Sequence, residues 1–196
     1  MEYKLKNNIL ISGGGTGGHL FPALTICKAQ LSKYNFIYFG SIFGIESEYY
    51  KKSKFPKEWI IYLLDIKGIQ RGKKIKNLIS NINFPYKFIK SYYYTRSIIK
   101  LIKPKLIIGT GGYSSGIPLL VGIHLGIPTL IQEQNSVPGL VTRKLCNKVS
   151  TVCTAYKFSK DILKTNNIIL TGNPISNKIK KIAKDKAKNK LNINNN

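Results

Sequence analysis

Asn8-Ile9-Leu10-Ile11-Ser12-Gly13-Gly14-Gly15-Thr16-Gly17-Gly18-His19 runs from a short apolar segment straight into a cluster of glycines. Leu106-Ile107-Ile108 opens in the same way into Gly109-Thr110-Gly111-Gly112-Tyr113. A short continuous apolar run bounded by glycine reads as a strand buried on both faces. The glycines let the backbone take positive φ and approach a ligand, and a helix that follows turns its first N–H groups toward an anion. Two such units in one chain predict a site for a large phosphorylated ligand.

Outward from these loops the pattern alternates. Strands are predicted at Ile9 to Ser12, Phe36 to Phe39, Trp59 to Leu64, Leu106 to Ile108, Thr129 to Gln132, Val149 to Val152 and Ile168 to Leu170. Helices are predicted from Phe21-Pro22 through Leu31, over Glu46 to Lys52, over Ile75 to Ile102 with a break at Pro85, over Ser115 to Leu125 and near Leu140 to Leu145. Strands separated by helices give an α/β fold, a Rossmann-like parallel sheet with helices on both faces. With 196 residues, 43% of them hydrophobic, the working count is one folded domain. Its expected extent is residues 1–175, and residues 176–196, with seven lysines and an Asn-rich end, read as a basic linker or tail.

The formal charge is +24, and lysine supplies all but three of the 32 basic residues. Uniform lysine enrichment beside abundant Ile and Asn also follows from AT-rich coding sequence. The distribution says more. No Asp or Glu occurs between Ile66 and Gln132, and the stretch from Ile66 to Lys105 carries eleven Lys and Arg. That stretch attracts anions. Nucleic acid is a weak fit, because arginine is scarce and no RNA-binding aromatic motif is present. Cys27, Cys146 and Cys153 form no CxxC pair, and His19 and His124 are the only histidines. No disulfide framework or metal site is therefore expected. The polar start from Met1 to Asn8 predicts no signal peptide, and no apolar run reaches spanning length.

Gly13, Gly15 and Gly18 satisfy the dinucleotide spacing G-x-G-x-x-G. The acid expected to hold a ribose is missing, since the second strand ends Phe39-Gly40-Ser41. The P-loop pattern fails too, because no Gly-Lys-Ser/Thr follows the glycines. In a parallel sheet both glycine loops lie at the carboxyl edge, where ligands bind.

Gly14-Gly15-Thr16-Gly17-Gly18-His19 with Phe21-Pro22-Ala23, then Gly109 to Gly116, then Gln132-Glu133-Gln134-Asn135, then Gly172-Asn173-Pro174, resembles the N-terminal domain of the MurG family in order and spacing. The resemblance covers residues 8 to 176. It implies half of a two-domain GT-B glycosyltransferase, with peripheral attachment to the cytoplasmic face of the cell membrane. The implied reaction moves GlcNAc from UDP-GlcNAc to the C4 hydroxyl of undecaprenyl-diphospho-N-acetylmuramoyl-pentapeptide, with inversion and without a cofactor or catalytic metal. The donor-binding half is not in this sequence, so a separate donor-domain chain is one implied partner. A non-catalytic module that binds a lipid diphosphate is the alternative.

The resemblance assigns roles residue by residue. His19 and Glu133 are both candidates for the general base. Thr16, Gly17, Gly18 and Asn135 match donor-contacting positions. Gly14, Gly15, Gly111, Gly112, Tyr113, Ser114 and Ser115 are expected around the acceptor diphosphate. Ile75, Ile79, Ile82 and Phe88 with Lys73, Lys74 and Lys76 form the expected patch on an anionic membrane surface. His124, beyond the second loop, is assigned to packing. Ser176 stands where the family pattern has an arginine.

Overall fold

The computed structural model describes residues 7–68, 82–176, 179, 182–191 and 193. Seven strands make one sheet: β1 Asn7–Ser12, β2 Tyr34–Ser41, β3 Ile60–Leu64, β4 Leu106–Gly109, β5 Thr129–Glu133, β6 Thr151–Thr154 and β7 Ile168–Leu170. Every pairing is parallel, in the order β3-β2-β1-β4-β5-β6-β7. Among the described residues the helices are α1 Gly17–Gln30, α2 Ile45–Lys51, α3 Phe84–Ile102, α4 Tyr113–His124, α5 Leu140–Leu145, α6 Phe158–Leu163 and α7 Lys184–Lys190.

The period of two along each strand divides the core into two layers. Leu10, Ile37, Phe39 and Ile107 face one side, with Ile98 and Ile99 of α3 and Ile117, Leu119 and Val121 of α4. Ile9, Ile11, Phe36, Tyr38 and Ile108 face the other, with Leu20, Ala23, Leu24 and Cys27 of α1. Burying each of these large side chains stabilises by about 1.5–3 kcal/mol. Both faces being covered explains the continuous apolar runs in the central strands β1, β2 and β4.

The chain builds β1, β2 and β3 toward one edge and then returns to place β4 on the other side of β1. That reversal is a topological switch point, where a crevice opens beyond the strand ends. Ser12 and Gly109 are register partners at the ends of β1 and β4, so the two glycine loops leave the sheet side by side. Sequence pattern predicted both loops. Strand order makes them neighbours.

Several boundaries differ from expectation. Helix α1 starts at Gly17, not at Phe21-Pro22, because Thr16 is the extended N-cap and the glycines already turn helically; Pro22 lies inside the helix. Pro85 does not break a long helix: it occupies the first turn of α3, where its missing N–H costs nothing. The expected helical residues 75–81 lie outside the described residues. The sixth strand is shifted to Thr151–Thr154, since Val149 closes the preceding turn through its N–H to the Leu145 oxygen, 3.1 Å. The short α6 carries too little periodicity to be foreseen. Helix α7 buries no residue.

Candidate active site

Loop 1, between β1 and α1, and loop 2, between β4 and α4, are in direct contact. Gly112 has φ +75°, and a Cβ there would sit on the carbonyl oxygen of Gly14. Only glycine satisfies both the dihedral angle and the approach. Ser12 ties the strand ends together, its hydroxyl being 2.7 Å from the Phe39 oxygen and 3.0 Å from the Ser114 oxygen. The Thr110 hydroxyl donates to the His19 carbonyl at 2.8 Å.

His19, in the first turn of α1, lies over Gly111, where a Cβ would come within 2.5 Å of Nδ1. Nδ1 is 3.0 Å from the Thr110 carbonyl oxygen and 3.1 Å from Gln134 Oε1. A carbonyl can only accept, so Nδ1 carries the proton in the neutral ring. Nε2 is then the acceptor, and among the described residues it has no hydrogen-bond partner. Gln134 is itself held by its Nε2 donating to the Thr110 and Gln132 carbonyls at 2.8 and 2.9 Å.

Glu133, at the end of β5, is 2% exposed and accepts four hydrogen bonds. Oε1 takes the Asn135 N–H and side-chain amide at 3.1 and 2.8 Å, while Oε2 takes the Gly139 N–H and Thr142 hydroxyl at 3.0 and 2.6 Å. No lysine pairs with it among the described residues. Both oxygens are saturated by local donors, so the geometry gives Glu133 the task of orienting Asn135 and anchoring α5. Of the two side chains, His19 is the one that keeps a nitrogen without a hydrogen-bond partner among the described residues.

A cavity of about 470 Å³ opens in front of these groups. His19, Gly111, Gly112, Tyr113, Glu133 and Asn135 line its polar end, and Ile66, Phe84, Phe88, Ile117, Leu140 and Val141 its apolar end. One wall thus presents donors and an imidazole, and the other presents hydrocarbon from α3 and α5. Burial pushes the Tyr113 phenol up, partly offset by its hydrogen bond with Ser41 and reinforced by the Glu46 carboxylate.

Other expected residues are placed differently. The Ser114 and Ser115 side chains are fully buried; the Ser115 hydroxyl donates to the Gly112 oxygen at 2.9 Å, bracing the turn instead of facing the cavity. The Gly15 N–H is already taken by Glu46 Oε2 at 2.8 Å. Thr16 and Gly18 are exposed at the mouth of loop 1, Gly17 is half-buried beside Phe21, and Asn135 is exposed across the switch point. Asn173 reaches the Gln134 carbonyl at 3.4 Å, which brings the fourth motif to the third. Phe88 packs into the cavity wall and core and so is not part of an outer face. Ile75, Ile79, Lys73, Lys74 and Lys76 lie outside the described residues. His124 is exposed, with Nδ1 2.7 Å from the Tyr92 hydroxyl. Sequence reasoning missed Glu46, Thr110 and Thr142. The first had a signal: an acid opening a helix directly after β2, at the sheet edge that holds loop 1.

Residues 9–154 match the sequence profile of the glycosyltransferase family 28 N-terminal domain. The chain belongs to this family. As a family 28 N-terminal domain it has curated relatives named UDP-N-acetylglucosamine--N-acetylmuramyl-(pentapeptide) pyrophosphoryl-undecaprenol N-acetylglucosamine transferase. The one from Christiangramia forsetii is 40% identical over 178 residues, 89% of this chain and 46% of the relative. That from Bacteroides thetaiotaomicron is 37% identical over 186 residues, 92% of this chain and 47% of the relative. The chain therefore spans less than half the length of these relatives. Among solved structures, Acinetobacter baumannii MurG superposes with TM-score 0.67 at 28% identity, covering 84% of this chain and 45% of that one. A UDP-GlcNAc 2-epimerase from Methanocaldococcus jannaschii shares the fold, with TM-score 0.55 at 13% identity over 86% of this chain and 46% of that one. The family 28 domain described here is thus the Rossmann-like N-terminal domain of the GT-B architecture.

Proposed function

We propose that this chain is the acceptor-binding part of an inverting N-acetylglucosaminyltransferase that extends a polyprenyl-diphosphate-linked N-acetylmuramoyl peptide with GlcNAc from UDP-GlcNAc. The observation that carries the reading is His19: its Nδ1–H is held on the Thr110 carbonyl, and the ring lines the cavity beside loop 2. The names of the relatives supply the substrates.

In this reading the acceptor sugar lies at the polar end of the cavity. His19 Nε2 takes the proton of the attacking C4 hydroxyl, the new bond forms to the anomeric carbon, and the bond to the UDP oxygen breaks with that electron pair leaving on UDP. Thr110 keeps the ring in the required tautomer, and Gln134 steadies it. The backbone of Gly111 and Gly112, at the N-terminal end of α4, faces the acceptor diphosphate. Thr16, Gly18 and Asn135 stand at the open mouth, where the donor sugar arrives. Most of the donor is held by a second Rossmann-type half.

Beside the cavity, Tyr86, Ile89 and Tyr93 are 68%, 55% and 64% exposed at helical spacing on α3, with Lys90 exposed alongside and Ile82 just ahead of the helix. An aromatic and aliphatic stripe flanked by lysine suits the interface of an anionic bilayer. No helix among the described residues is long and apolar enough to cross a membrane.

The test mixes the chain with a lipid-linked acceptor analogue and UDP-GlcNAc, with and without a separately expressed C-terminal half of a relative. Transfer that requires both pieces supports the reading. Transfer by the chain alone contradicts the division of labour, and none in the mixture, where the intact relative works, contradicts the transferase reading.

A further inference from the structure

Glu46 is a fully buried carboxylate with no lysine or arginine partner among the described residues. Its two oxygens are used separately. Oε2 accepts the Gly15 N–H at 2.8 Å, and Oε1 accepts the Ser41 N–H at 2.9 Å. One side chain thus clamps loop 1 to the end of β2. The surroundings are shaped for it. A Cβ on Gly14 or on Gly44 would fall on the carboxylate, and one on Gly40 would lie 2.7 Å from Glu46 Cγ. Glycines from three separate segments leave the space that this one group fills.

A carboxylate on a backbone N–H of a glycine loop reproduces one of the contacts by which such loops grip phosphate oxygens. Here the protein supplies the anion itself, from behind the loop. We propose that Glu46 is a positioning residue for the reaction, an internal anion that holds loop 1 in the shape that sets the His19 ring on Thr110; this rests on His19 being the base.

The connection is short. Glu46 fixes Gly15, the next residue Thr16 caps α1, and the Thr16 carbonyl accepts the N–H groups of His19 and Leu20 at 3.2 and 3.1 Å. On the far side of the loop the Tyr38 hydroxyl donates to the Gly13 carbonyl. With the carboxylate removed, Gly15 loses its tie to the end of β2 while Gly13 keeps the Tyr38 hydroxyl of that strand, and the first turn of α1 is free to shift relative to loop 2. A further consequence is a division between the loops. Loop 1 already carries a negative charge behind it, so the substrate diphosphate is directed to loop 2.

The experiment is nuclear magnetic resonance on the whole 196-residue chain, comparing wild type with Glu46→Gln and with Gly14→Ala. The first keeps the shape of the side chain but sets an amide where both neighbours are donors; the second pushes the carboxylate aside while leaving residue 46 intact. Both readouts are independent of turnover: hydrogen exchange at Gly15, and the ring nitrogen signals that report the His19 tautomer. The expected result is at least a tenfold loss of Gly15 protection in both variants, with His19 changing from one tautomer to a mixture while the far sheet edge at β6 stays protected. A Glu46 that merely stabilises the fold would lower protection throughout and leave the tautomer as in wild type, and that outcome overturns the proposal. Should Glu46→Gln not fold, Gly14→Ala carries the same test. If instead His19 responds as expected but is dispensable for transfer, the positioning link stands and the assignment of the base fails.

Discussion

The Nδ1 atom of His19 lies 3.0 Å from the carbonyl oxygen of Thr110, across the contact between the two glycine loops. A carbonyl at that place selects the Nδ1–H tautomer, so the acceptor lone pair is on Nε2. The sequence puts His19 after loop 1 and Thr110 in loop 2, and the parallel pairing of β1 with β4 brings them together. His19→Ala is expected to reduce transfer by about 10²–10⁴-fold while leaving the melting temperature within a few degrees of wild type. Transfer rates in the two-piece assay together with a thermal melt check this.

Glu133 gives the opposite pattern. Its four hydrogen bonds hold Asn135, Gly139 and Thr142, so Glu133→Gln turns two of its acceptor contacts into clashes of donors. The expected loss of stability is about 1–3 kcal/mol, measured by urea unfolding, and Thr142→Val loses part of it. A Glu133→Gln protein as stable as wild type but without transfer would return Glu133 to the role of base.

Gly112 is the most constrained point of the site. An alanine there meets both φ +75° and the Gly14 carbonyl. Gly112→Ala is expected to cost more than about 2 kcal/mol and to abolish acceptor binding. By contrast Gly126, at φ +68° with open space around it, pays only for its dihedral angle and leaves binding unchanged when replaced by alanine. Parallel melts and binding titrations of the two variants separate site packing from backbone strain.

Two phenols define an alkaline limit. Burial pushes Tyr38 well above its ordinary value, with the Glu46 carboxylate adding to the effect, and Tyr113 is raised by burial as well. Above about pH 10 an unfolded tyrosine releases its proton while these two keep theirs. The unfolded chain then binds fewer protons, so stability present below that pH declines as pH rises toward the folded values. Denaturant melts between pH 8 and pH 11 are expected to fall on the alkaline side, and less steeply in Tyr113→Phe.

The glycine loops, the α/β class and the seven strands, the sixth shifted by two residues, were legible in sequence because most strands carry a short apolar run ending in a glycine or polar turn. The acid-free stretch before Glu133 likewise drew attention to a carboxylate that the structure buries at the end of β5. What the acid does was not legible. Its four donors come from residues 135, 139 and 142, a local knot whose shape depends on the turn into α5. The same limit hid Glu46, which acts on Gly15 from a different βα unit. The lysine-rich pattern placed Phe88 in the expected membrane patch, and only packing separates the inward Phe88 from the outward Tyr86, Ile89 and Tyr93.

That outward stripe should govern attachment to bilayers. Replacing Tyr86, Ile89 and Tyr93 together by serine is expected to weaken sedimentation with vesicles containing anionic lipid by about tenfold or more, with the melting temperature preserved. Phe88→Ala is expected to do the reverse, lowering stability by about 1–3 kcal/mol because the ring is only partly buried, with smaller effect on vesicle binding.

Equilibrium binding of the chain, in detergent, to a polyprenyl-diphosphate-linked N-acetylmuramoyl peptide and separately to UDP-GlcNAc tests the central assignment most directly. Saturable binding of the lipid-linked sugar, lost in Gly112→Ala and far stronger than binding of UDP-GlcNAc, is the predicted result. Tight binding of UDP-GlcNAc with no measurable affinity for the lipid-linked sugar would contradict it.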